Sequence, residues 1–116
     1  MADLHLYGIS NCDTVKKARK WLQEHALEHH FHDFKKEAPT REQLQRWCGH
    51  VGWEVLLNRR GTTWRKLPES DREGLDQAKA IALMQIQPSM IKRPVMELGQ
   101  DVHVGFDTDT YSSLLL

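Results

Sequence analysis

The sequence predicts an α/β protein in which a mixed sheet carries helices on its faces. Three observations point there. A strand-like run, a helical run and a second strand-like run follow one another by residue 34. The middle of the chain is helical and polar by turns. The end reads as two apolar segments around a glycine turn, followed by a capped helix. Leu4 to Tyr7 is the first strand, broken by Gly8, Ser10 and Asn11. From about Asp13 to Ala26 the spacing turns helical, with Val15, Ala18, Leu22 and Ala26 on one face. Lys16, Lys17, Arg19, Lys20 and Gln23 lie away from it. A strand begins near Glu28 and includes Phe31 to Phe34. Two strands joined by a helix of this length form a right-handed βαβ unit with parallel strands.

Thr40 then caps a second helix, with Gln43 placed to complete a capping box, and Gly49 and Gly52 interrupt that helix. Asn58 to Arg65 reads as a polar loop. A further helix is expected from about Ser70 to Gln85, with Asp71 and Glu73 in its first turn and Leu75, Ala78, Ala82 and Met84 to Ile86 as apolar contacts. Pro94 to Leu98 and Val102 to Phe106 flank Gly99-Gln100-Asp101 as a hairpin. Asp107 caps a last helix that runs into Leu114-Leu115-Leu116.

A chain of 116 residues is expected to form one domain, 1–116, with a core that needs no disulfide or metal. Sixteen basic and sixteen acidic residues cancel, which argues against bulk electrostatic binding to nucleic acid or a membrane surface. The first residues do not read as a signal peptide, and no run approaches the roughly 20 apolar residues that span a bilayer. A cytoplasmic location is expected. The two cysteines, Cys12 and Cys48, lack the paired spacing of a zinc site or a disulfide framework.

Cys12 carries the chemistry. It sits where the first strand turns into the first helix, at or beside the N-cap. The unpaired N–H groups there and the helix dipole favour a thiolate over a thiol. Lys16, one turn on, adds to that field, and Asp13 works against it. Such settings lower a cysteine pKa from about 8.5 to roughly 3.5–7.5. Position alone leaves two readings open: a reactive thiol, and a cysteine that merely caps or packs. Val15 occupies the place a second cysteine would take in Cys-x-x-Cys, so a resolving thiol comes from Cys48 or from outside. Cys48, in Arg46-Trp47-Cys48-Gly49 near a helix end, reads as a packed residue.

Tyr7-Gly8-Ile9-Ser10-Asn11-Cys12-Asp13-Thr14-Val15-Lys16-Lys17-Ala18 resembles the opening of the arsenate reductase (ArsC) and Spx family. Leu57-Asn58-Arg59-Arg60-Gly61-Thr62-Thr63-Trp64-Arg65-Lys66-Leu67 and Ile91-Lys92-Arg93-Pro94-Val95 resemble two further signatures, in order and at the family's separations. The resemblance is to the YffB-like branch and spans nearly the whole chain. It implies a thioredoxin-like fold, βαβ plus ββα, with a helical insertion at about 39–87. It implies a nucleophilic Cys12 whose adduct is resolved by glutathione or glutaredoxin. Arg60 and Arg93 match two of three arginines that hold an oxyanion in the glutathione-dependent arsenate reductases; the third has no counterpart, since no arginine follows Arg93. Planar guanidinium groups suit an oxyanion or a carboxylate equally. The resemblance also implies a cis peptide bond at Pro94 beside the cysteine, which leaves backbone groups free to pair with an extended peptide such as glutathione.

The expected function is therefore that of an enzyme, a glutathione-dependent thiol oxidoreductase. Cys12 is its nucleophile, Asn11 and the helix N-terminus its stabilisers, and Lys16 a tuning charge. Arg60, Arg93 and Pro94 line the binding site for glutathione and for a small thiol or oxyanion substrate. Glutathione enters as co-substrate, and no bound cofactor is expected. An Spx-like protein that binds RNA polymerase is one alternative, and a true arsenate reductase another. His25, His29, His30 and His32 cluster without the converging ligands zinc needs, with His30 and His32 on one strand face and His29 on the other, and read as exposed strand histidines. Trp47, Trp53 and Trp64 read as packing residues.

Overall fold

The computed structural model describes residues 3–116. Four strands form one sheet in the order β2-β1-β3-β4, built from β1 (Leu4–Gly8), β2 (His30–Asp33), β3 (Val95–Leu98) and β4 (Asp101–Val104). β1 runs parallel to β2, with Leu6 opposite Phe31, and antiparallel to β3, with Leu6 opposite Met96. The hairpin of β3 and β4 closes at Gly99, whose φ of 61° is the left-handed turn conformation glycine adopts freely. This is the mixed α/β sheet the sequence predicts.

The period of two along each strand divides the core into two layers. Leu4 and Leu6 of β1 and Met96 of β3 pack on one face with Ala18 and Leu22 of α1 (Asp13–Glu24) and Tyr111 of α7 (Thr108–Leu115). Tyr7 and Val95 face the other way. They meet Leu44 and Trp47 of α2 (Arg41–Val51), Leu56 of α3 (Trp53–Leu56) and Met84 of α6 (Gln77–Ile86). The helices between β2 and β3 thus roof one face, and α1 and α7 the other.

Local chemistry explains the helix ends. Thr40 and Gln43 form the reciprocal capping box that caps α2, and Asp107 accepts from the Thr110 N–H to cap α7. Four expectations are corrected. α1 ends at Glu24, not Ala26. Ala26 adopts a φ of 55°, its N–H donates to the Gln23 carbonyl and the Leu27 N–H to the Leu22 carbonyl. That pair of bonds is the Schellman stop, and it turns Ala26 out to solvent. Gly49 does not interrupt α2, which runs through it to Gly52, where φ is 87°. The Asn58 to Arg65 loop ends in a helical turn, α4 (Thr62–Arg65). The helix expected over 70–85 is two helices, α5 (Glu69–Arg72) and α6. Gly74 at φ 62° and the Asp76 cap on the Lys79 N–H separate them. The break re-phases α6, so Ala80, Ile81 and Met84 are buried while Ile86 is 75% exposed.

Among the described residues no helix is long and apolar enough to cross a membrane, and no cluster of His, Cys, Asp and Glu is placed to hold a metal ion.

Candidate active site

Cys12 is the N-cap of α1, in extended backbone, with its own N–H bonded to the Ile9 carbonyl at 3.0 Å. Gly8 lets this junction form. A Cβ there would stand 2.6 Å from Cγ2 of Val15, so a glycine is what allows the first turn of α1 to lie on the end of β1. Val15, at the second position of a possible Cys-x-x-Cys pair, is fully buried instead.

Cys12 is half-buried and packs against the core layer under the central helices. Burial pushes its thiol up. The N–H groups of Val15 and Thr14 and the Arg93 guanidinium outweigh this, and the net effect holds Cys12 below the range of a free cysteine. The charge beside the sulfur is therefore Arg93. Lys16 is exposed, on the solvent side of α1, and is not among the groups that lower the thiol. Asn11 is exposed in the turn before Cys12.

Arg93 is held by one bond, from Nη1 to the Ser89 carbonyl at 2.7 Å. Its Nε is buried and has no hydrogen-bond partner. The Arg93-Pro94 peptide bond is cis, as the resemblance implies, and Pro94 is buried. Arg60 arrives from a different part of the chain. The Asn58 N–H bonds the Met90 carbonyl at 2.7 Å and the Lys92 N–H bonds the Leu56 carbonyl at 2.8 Å, stitching the two arginine segments together around the Leu57–Ile91 bridge. Asn58 also accepts from the Arg60 N–H, and the Arg65 guanidinium donates to the Arg60 carbonyl. The Arg60 side chain is exposed. Thr63 and Ser89 pair their hydroxyls at 2.9 Å, so Ser89 is tied both to α4 and to Arg93. Sequence reasoning did not single out Ser89 or Thr63. Their pairing spans 26 positions, and no local pattern signals it.

Cys48 lies in the core, 4% exposed, and burial raises its thiol above the free range. Trp47 is buried, and Trp53 and Trp64 are half-buried against the same layer. Two further sets of contacts join residues that are distant in sequence. Glu97, the buried charged residue of β3, accepts from Tyr7 Oη at 2.9 Å and Trp47 Nε1 at 2.7 Å and pairs with Arg46. His30 and His32 share a strand face as expected, but both stack on His5, and His5 Nδ1 meets His32 Nε2 at 2.8 Å. They are members of an aromatic ladder with Tyr7, and only His30 is exposed.

The model of the ArsC family matches residues 7–114. A solved YffB protein is 56% identical, with a TM-score of 0.96, over 97% of this chain and 99% of that one. The solution structure of an arsenate reductase related protein from Brucella melitensis is 50% identical, with a TM-score of 0.77, over 98% of this chain and 96% of that one. The global transcriptional regulator Spx of Enterococcus faecalis is 30% identical over 91% of this chain and 81% of its own length.

Proposed function

The chain belongs to the ArsC family, and from that premise we propose that it is a glutathione-dependent thiol oxidoreductase with one nucleophilic cysteine, Cys12. The observation that carries the proposal is the pairing of a lowered Cys12 thiol with the Arg93 guanidinium, whose buried Nε awaits an acceptor. Arg60 and Arg93 bind the carboxylate of glutathione or an anionic substrate, and Pro94 and Asn11 border the place where it lies.

In the proposed reaction the Cys12 thiolate attacks one sulfur of a mixed disulfide between glutathione and a second thiol. A Cys12–glutathione disulfide forms and the second thiol departs as a thiolate that takes up a proton. Free glutathione thiolate then attacks the glutathione sulfur, releasing oxidised glutathione and restoring the Cys12 thiolate. Cys48 is buried and raised, so it is a poor resolving thiol, and this favours an external one. Turnover of a small glutathione mixed disulfide, followed as oxidised glutathione, tests the proposal. Activity lost on Cys12→Ser and kept on Cys48→Ser supports it; equal activity in the Cys12→Ser protein contradicts it.

The Spx relative favours a second reading, a regulator that acts by binding RNA polymerase. Retention on RNA polymerase with no thiol turnover would establish it. Arsenate-dependent oxidation of glutathione that needs Cys12 would instead establish arsenate reduction.

A further inference from the structure

The six basic residues Arg59, Arg60, Arg65, Lys66, Lys92 and Arg93 lie in two segments that the structure joins edge to edge through the Leu57–Ile91 bridge, and Arg93 among them lies beside Cys12. All but Arg93 are exposed. Neither segment, 58–66 or 91–94, contains an acidic residue. The chain as a whole is balanced, so the rest of it carries ten cations against sixteen anions. Among the described residues the ion pairs are Lys20–Glu24 and Arg46–Glu97, and none of the six is in one. The acids nearest in sequence, Glu54, Glu69 and Glu97, form no ion pair with any of them. Arg65 is turned onto the Arg60 carbonyl, and Arg59 lies over the Trp53 ring at 6.0 Å, so the positive charge is gathered rather than dispersed.

We infer that this rim docks an acidic segment of a polypeptide that presents a thiol or disulfide to Cys12. The inference rests on the thiol-oxidoreductase reading for the sulfur and on the charge distribution for the rest. Six cations exceed what glutathione, with its pair of carboxylates, can meet. A nucleic acid would match the charge but brings no sulfur to the cysteine beside Arg93, and the aromatic rings nearby, Trp53 and Trp64, are half-buried rather than laid open for stacking. A polypeptide supplies both carboxylates and a thiol. Complementary charge of this kind raises association rate and selects partners, and salt weakens it.

The test is fluorescence anisotropy with the full chain, using peptides of equal length that carry one cysteine flanked by acidic, neutral or lysine residues. A single-stranded oligonucleotide matched in charge to the acidic peptide is the fourth probe. The expected result is binding of the acidic peptide about tenfold tighter than the neutral one at low salt, with the gap closing as salt rises. Lys66→Gln with Lys92→Gln narrows that gap severalfold and leaves glutathione turnover unchanged. Equal affinity for the acidic and neutral peptides, or an oligonucleotide bound as tightly as the acidic peptide, overturns the inference. Turnover of glutathione disulfides without acidic preference overturns the docking surface alone. Acidic preference without any glutathione turnover overturns the oxidoreductase reading and leaves the docking surface standing.

Discussion

Two arginines of this molecule stand beside an acidic group, and the two places have opposite character. At Arg46 the carboxylate of Glu97 also receives the Tyr7 hydroxyl and the Trp47 indole N–H, so one buried charge is met from three sides. That arrangement ties α2 to β1 and β3 and leaves little capacity for a ligand. At Arg93 the partner is the Cys12 thiol, one guanidinium bond is used up on Ser89, and the buried Nε has no partner. A satisfied polar cluster holds the roof on the sheet; an unsatisfied one is where the proposed function puts a substrate anion.

The largest effect of breaking this contrast falls on the closed side. Glu97→Ala strands the Tyr7 hydroxyl and Trp47 N–H and should cost about 3 kcal/mol by denaturant unfolding. The half-exposed Arg46 pair contributes little of that. Gly8→Ala comes next. Its Cβ meets Val15 in a tight core, so a loss of about 1–3 kcal/mol is expected, with slower Cys12 alkylation as the start of α1 shifts. Arg93→Ala acts on the open side. It removes a group that lowers the Cys12 thiol, so the midpoint of its pH-dependent alkylation should move up and its rate at neutral pH should fall severalfold, with little change in unfolding midpoint. The smallest change is a gain. Ala26→Gly relieves a left-handed alanine and should stabilise the fold by about 1 kcal/mol.

The closed and open sides also differ in how far the sequence foretold them. Cys12 at the strand–helix junction, the Thr40 and Asp107 caps and the hairpin at Gly99 follow from residues within a few positions of one another, and local pattern is what a sequence displays. The break at Gly74 was legible in principle, since a glycine followed by Asp76 signals a stop and a new cap, but the apolar spacing across it outweighed that signal. No local pattern reveals the role of Glu97, because its partners Tyr7 and Trp47 lie 90 and 50 positions away. The His5 stack is hidden for the same reason: its stacking partners sit on a neighbouring strand. In the site, the resemblance picked out Arg60 and Arg93, while the backbone stitching that brings their segments together depends on contacts across more than thirty positions. Closeness in sequence points to Lys16 as the tuning charge. Helix geometry sends it to solvent, and Arg93, far along the chain, lies beside the sulfur instead.

The most direct measurement is the rate of alkylation of each cysteine against pH, resolved by mass spectrometry in the one protein. Cys48 serves as the internal reference, because burial raises its thiol while Arg93 and the helix N-terminus lower that of Cys12. The predicted result is a Cys12 midpoint below that of free cysteine and well below that of Cys48. A Cys12 midpoint at or above the free value would contradict the activation of this thiol and, with it, its role as the nucleophile.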